Sequence, residues 1–208
     1  MHISDGVLGL PVVIGSSAAA AGLLAYSIKG VKEQELPKIA LMSAVFFTGS
    51  FIHFNIGASS VHLMLSGIIG LVLGRRTPIA VSAALLLQML GFQFGGLSSY
   101  GANVFDVAVP TMLLSYFAKP FLGKSKKTDF ICGFLCGGIS VILTVVFVSF
   151  MLIESNLRFG FGPFSAVTGL MLGHIPLALI EAVVTGFAVR MIVQIRPEIL
   201  DIRKEVRP

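Results

Sequence analysis

Residues 1–28 read MHISDGVLGLPVVIGSSAAAAGLLAYSI, and the fold turns on how this stretch is taken. From Val7 no charged residue occurs until Lys29. About 20 apolar residues cross a bilayer, so 7–28 predicts a first transmembrane helix. A cleaved signal peptide is the rival, because Val7 to Ile14 followed by Ala18-Ala19-Ala20 imitates an apolar core and its cleavage site. The basic leader is missing, however, Asp5 stands in its place, and the apolar run continues past Ala20. The expectation is a retained start in which residues 1–6 form a hook ahead of the first helix.

That hook, Met1-His2-Ile3-Ser4-Asp5-Gly6, carries a histidine in second place. One short segment then offers three nitrogens: the Met1 amine, the Met1–His2 peptide nitrogen once deprotonated, and His2 Nδ1. They close a five-membered and a six-membered ring around a cation. Four nitrogens in a plane suit Ni(II), Cu(II) or low-spin Co(II), so a further donor is required. A long second side chain hinders removal of Met1 and keeps the amine in place. His62 is the preferred fourth ligand, because Gly57-Ala58-Ser59-Ser60 before it makes a compact loop the hook can enter. Ser59 or Ser60 can also hydrogen-bond a ligating imidazole and fix its tautomer. His53 is the less favoured ligand. The plain alternative is that a His beside Met1 carries no role at all.

Of the 208 residues 55% are hydrophobic and 12% charged, about half the charge of a soluble domain. The chain therefore reads as an integral membrane protein, and its net +5 as a matter of topology with no nucleic-acid partner. Cys132 and Cys136 lie four apart in an apolar run, which suits packing better than a metal site or a disulfide framework. Apolar runs predict helices at 7–28, 37–54, 61–74, 78–94, 101–118, 130–152 and 171–194. The third is short, so it crosses only if tilted or shielded, and otherwise is a broken or partly re-entrant element. With seven crossings and the N-terminus outside, every Lys and Arg except Arg158 falls on the inner side. The expected architecture is one all-α domain over 1–208 in the plasma membrane, with about seven transmembrane helices. Its N-terminus is outside and inserted into the bundle, and a cytoplasmic tail covers 195–208.

Polar groups inside spans are functional candidates. They are His53, Gln88, Asn103, Asp106, His174 and Glu181. Asp106 suits the positive end of its helix. His174 and Glu181, seven apart on one face, are candidates to pair across the bundle. Two connections are rich in Gly and aromatic residues, at 92–102 and 153–170, and could either cover a site or merely end helices. Small residues recur at helical spacing through the first helix, as Ser17, Ala21 and Ala25 and as Gly15 and Ala19. Such stripes serve packing within the bundle or docking of a partner subunit.

The sequence also resembles a known family: CbiM/NikM, the substrate-binding S components of energy-coupling factor transporters for cobalt and nickel. Four segments carry the resemblance. The opening is similar to the family's Met-His-Ile-Pro-Asp-Gly; Ser59-Ser60-Val61-His62 with Gly67 and Gly74 resembles its loop histidine and glycine-spaced helix. Gly101-Ala102-Asn103-Val104-Phe105-Asp106 nearly repeats a third motif, and His174-Ile175-Pro176 through Glu181 is similar to the last helix. The resemblance implies a square-planar metal held by Met1 and His2 with His62, and support of the inserted segment by Asp5 and Asn103. It further implies nickel or cobalt as transported substrate, with no cofactor. The implied partners are a T-component membrane subunit and two ATPase subunits, with room for a small accessory membrane subunit. The S component is implied to topple in the membrane to release its ion. Ser4 in place of proline loosens the hook, the loop before His62 is shorter, and Arg75 replaces a common proline.

On this reading the chain captures an ion and is not an enzyme; no Walker A pattern occurs, so ATP hydrolysis belongs to other chains. Binding displaces protons from the amine, the peptide nitrogen and any protonated imidazole, so affinity rises with pH. Mg(II) and Ca(II), which prefer oxygen, are rejected. Two rivals remain open. One is an intramembrane hydrolase built from His53, His62, His174 and Glu181, although no HExxH is present. The other is a membrane scaffold without transport.

Overall fold

The computed structural model describes residues 2–56, 59–160, 162 and 165–202, with the backbone alone at 53–56, 59 and 60. Among these residues the chain is helical apart from one hairpin. The helices are α1 (Leu10–Ile28), α2 (Leu36–Gly49), α3 (Ser66–Leu73), α4 (Thr77–Phe92), α5 (Tyr100–Ala118), α6 (Lys126–Ser155) and α7 (Ala166–Ile195). Strands β1 (His53–Ile56) and β2 (Ser59–His62) lie between α2 and α3. By length and composition α1, the run Ser66–Phe92 that joins α3 to α4, α6 and α7 can each cross a membrane. This is a membrane protein.

Local sequence explains where the helices start. Proline sits in the first turn of α1, α2 and α4, where its missing N–H costs no intrahelical bond. Ser125 and Ser165 cap α6 and α7 by accepting from the amides of Thr128 and Thr168. In α1 the buried residues are Ser16, Ala20 and Ser27, while Leu10, Ile14 and Tyr26 are exposed. That is inside-out for a helix in water and right for one in lipid.

The largest departure from the sequence reading lies between residues 50 and 65. The second helix ends at Gly49 instead of 54, and the third starts at Ser66 instead of 61. Between them β1 and β2 pair antiparallel with His53 opposite His62, and Leu63 N–H extends the ladder to the Ile52 carbonyl at 3.1 Å. Apolar composition alone does not distinguish such a hairpin from helix ends. Its two strands satisfy each other's backbone groups.

α3 is only eight residues long, about 12 Å against a hydrocarbon core of about 30 Å. It is shielded by protein: all its residues but Ile68 are buried. Its glycines allow the approach. A Cβ on Gly67 would come 2.6 Å from the Gly137 nitrogen on α6, and one on Gly70 would come 2.6 Å from the Thr111 carbonyl on α5. α3 is thus a half-length helix wedged backbone-to-backbone between α5 and α6.

At the opposite end from the hairpin, the chain after α7 turns back under the bundle. Leu200 is buried there, and the Asp201 carboxylate meets Lys38 at 3.3 Å and Lys119 at 3.1 Å. Beside it Arg76 is buried and donates to the carbonyls of Ser27, Lys29 and Gly30 and to Glu35.

Candidate metal centre

The hook is threaded into the bundle and bonded from three sides. The Asn103 amide grips Ile3 as a neighbouring strand would: its Oδ1 accepts from Ile3 N–H at 2.8 Å, and its Nδ2 donates to the Ile3 carbonyl at 3.0 Å. The Ser99 hydroxyl donates to the same carbonyl. The Ile3 side chain is buried with Ala102, Val148, Met151, Leu152 and Val167.

Asp5 fixes the other end of the hook. Its carboxylate accepts from Leu97 N–H at 3.1 Å, Ser98 N–H at 2.7 Å and the Ser98 hydroxyl at 2.5 Å. These amides lead into the N-terminus of α5, where a negative charge is favoured. The Ser98 hydroxyl, followed by the Ser98 amide, holds the Asp5 carboxyl below the usual carboxylate range. Gly96 is what lets the loop come so close, since a Cβ there would overlap both the Asp5 carboxylate and its main-chain nitrogen.

Threading the hook this way brings two imidazoles together. The His2 ring stacks on the His62 ring with centroids 4.9 Å apart and planes 21° apart, and on Phe94 at 6.1 Å and 14°. Burial pushes the His2 imidazole down to about 2, so the ring is neutral and keeps a lone pair for a ligand. His62 closes β2, is 4% exposed, and has Nδ1 3.3 Å from the Leu63 carbonyl oxygen. A proton on Nδ1 directed to that oxygen leaves the lone pair on Nε2. Two stacked imidazoles, beside the main chain of the hook, form a nitrogen-donor set.

Met1 lies outside the described residues, and so do the side chains of His53 and Ser60. The register sets His53 directly across the hairpin from His62, so the two competing histidines are cross-strand partners. Among the described residues no three His, Cys, Asp or Glu side chains converge on one point.

His174 and Glu181 do not pair. His174 Nδ1 is 2.8 Å from the Leu170 carbonyl of its own helix, whereas Glu181 Oε1 accepts from the amides of Met64 and Leu65. Asp106 is not at a helix start either, because α5 begins six residues earlier, at Tyr100. Sequence reasoning missed Ser98, Ser99, Gly96 and Phe94 as contacts of the hook. Their only signal was the uncharged, Gly-rich run 92–102.

Residues 2–199 match the family CbiM, described as the cobalt uptake substrate-specific transmembrane region. A Haemophilus influenzae protein named for metal transport is 30% identical over 203 residues, covering 97% of each chain. A Sorangium cellulosum protein named cobalt transport protein CbiM is 26% identical over 224 residues, covering all of this chain and 97% of that one. An Archaeoglobus fulgidus protein named as a fused nickel transport protein, NikMN, is 27% identical over 97% of this chain and 68% of its own length. The crystal structure of a transition metal transporter shares the fold with a TM-score of 0.80 at 23% identity, over 94% of this chain and 93% of that one.

Proposed function

The chain belongs to the CbiM family, the cobalt uptake substrate-specific transmembrane region, and on that premise we propose that it captures nickel or cobalt for import. The ion is held by the Met1 amine, the His2 peptide nitrogen, His2 Nδ1 and His62. The observation that carries this reading is the stacking of His2 on His62 at 4.9 Å, with His2 on a hook bonded through Asn103 and Asp5 and His62 buried at the end of β2. Imidazole–metal bonds run about 2 Å, and ring centroids 4.9 Å apart are close enough for both imidazoles to reach one ion. With no third ionisable side chain at hand among the described residues, main-chain nitrogens are the natural complement. Donors of that kind favour metals that displace an amide proton and disfavour Mg(II) and Ca(II).

With seven crossings, the short α3 counted among them, the hook lies outside and the tail inside, the orientation that the Lys and Arg distribution favours. The chain is the binding subunit, and a T-component membrane subunit and two ATPase subunits supply transport. The sparsely buried face of α1 offers those partners a surface.

The test is nickel and cobalt calorimetry on the purified chain with and without one residue added before Met1. The extension abolishes high-affinity binding if the free amine is a ligand; equal affinities would overturn the chelate. In the same assay His62→Ala weakens binding far more than His53→Ala, and the reverse order would move the site across the hairpin.

A further inference from the structure

Glu181 is a buried polar group that the capture reading leaves without a task. It lies midway along α7, is fully buried, and reaches out of its helix to the main chain of another element. Its Oε1 accepts from Leu65 N–H at 2.7 Å and also from Met64 N–H. Those amides stand at the joint where β2 ends and α3 begins.

The joint needs an outside partner. Leu65 has φ +52° and ψ +26°, a left-handed conformation that costs a bulky residue and persists only when its surroundings impose it. The residue preceding α3 makes no side-chain cap of its own. The first amides of a helix are orphan donors at its positive end, and a carboxylate there answers both needs. Glu181 thus caps α3 from 116 residues away. Its own helix is fixed: a Cβ on Gly137 of α6 would strike the Glu181 carbonyl, so α6 and α7 are locked together at this level.

We propose that Glu181 is a positioning residue for metal capture, its carboxylate holding the Met64–Leu65 joint and thereby the depth and aim of His62. The proposal rests on the reading that His62 is a metal ligand. Only Leu63 separates His62 from the capped amides, and Leu63 is itself pinned to Ile52. With Met64 and Leu65 tied to α7, the imidazole has little freedom to retreat from His2. Were the cap lost, the left-handed turn at Leu65 would relax and His62 would move with it, while α6, α7 and the hook's own clamp stayed whole.

The experiment uses the full-length chain in lipid nanodiscs, titrated with NiCl2 by calorimetry and followed by the visible absorption of bound nickel. Glu181→Leu is expected to weaken nickel binding at least tenfold and to give the altered nickel spectrum of His62→Ala. Glu181→Gln keeps an acceptor oxygen and is expected to stay within about threefold of wild type with an unchanged spectrum. Glu181→Asp guards against a leucine variant that does not fold: a carboxylate one methylene short is expected to weaken binding about tenfold with the thermal midpoint of the metal-free protein retained. A purely structural role would lower that midpoint and leave the spectrum alone, and would overturn the proposal. So would a folded Glu181→Leu, or the Asp variant, binding nickel like wild type while His62→Ala does not. If His62→Ala itself binds like wild type, the capture reading fails instead.

Discussion

The two ends of the molecule hold themselves together by different means. At the end where the hook enters, the described contacts are neutral hydrogen bonds and stacked rings: Asn103 and Ser99 on Ile3, His2 on His62 and Phe94. The one ionised side chain gripping the hook, Asp5, is spent on the amides of Leu97 and Ser98. At the other end the contacts are charge pairs, Arg76 with Glu35 and Asp201 with Lys38 and Lys119. A site made to choose a transition metal by nitrogen donors gains nothing from loose carboxylates, which would attract Mg(II) and Ca(II) just as well. On the proposed capture reading, the opposite end meets no such constraint and is free to use charge.

If that contrast is right, the largest effects of mutation fall on the hook. Asn103→Leu removes two hydrogen bonds, at about 1–1.5 kcal/mol each, leaving the Ile3 N–H without its acceptor and the Ile3 carbonyl with the Ser99 hydroxyl alone. Nickel affinity is expected to fall roughly a hundredfold, since every 1.4 kcal/mol is tenfold. Gly96→Ala is expected to do the same by keeping the loop off Asp5. Both are measured by calorimetry against the thermal midpoint of the metal-free protein, which should move little. A large drop in that midpoint with affinity intact would mean that the hook serves the fold and not the ion.

Much of this was legible in the sequence. Residues 7–28 gave the end of α1 to the residue and its start three residues early, and the apolar runs located α4 through α7, because lipid exposure writes itself into composition without need of periodicity. His2, His62, Asp5 and Asn103 were all picked out as candidates, and the fold brings them into one neighbourhood. The hairpin was hidden, because Phe54, Ile56 and Val61 are as apolar as the helices flanking them. The partners of Glu181 were hidden for a different reason. The amides it caps belong to residues whose side chains carry no polar signal, and pairing it with His174 was the natural guess from spacing.

A smaller effect is expected at the opposite end. The Arg76 guanidinium, hydrogen-bonded to Glu35, holds that carboxyl down to about 2. A carboxyl lowered on folding stabilises the folded chain fully above its ordinary value of 4.5, and the contribution fades as pH falls from there towards 2. Arg76 is buried but Glu35 is more than a third exposed, so solvent screening leaves about 1 kcal/mol. Glu35→Gln should therefore lower the thermal midpoint at pH 7, converge on wild type only as pH falls to about 2, and leave nickel affinity unchanged.

The smallest effect, at Asp201, separates charge from backbone. Its carboxylate is 65% exposed, and surface pairs of this kind contribute about 0–1 kcal/mol, reduced further by salt. The residue also has φ +60°, a left-handed conformation that Asp and Asn adopt readily and Ala does not, at a cost of about 1 kcal/mol. Asp201→Asn removes the charge and keeps the conformational ease, so its thermal midpoint should sit near wild type and match it in high salt. Asp201→Ala loses both and should melt lower at every salt concentration, because the strain at φ +60° is not screened. If the two variants melt alike at low salt and both recover at high salt, the ion pairs with Lys38 and Lys119 hold the turn after α7. If only the alanine falls, the turn is held by its backbone.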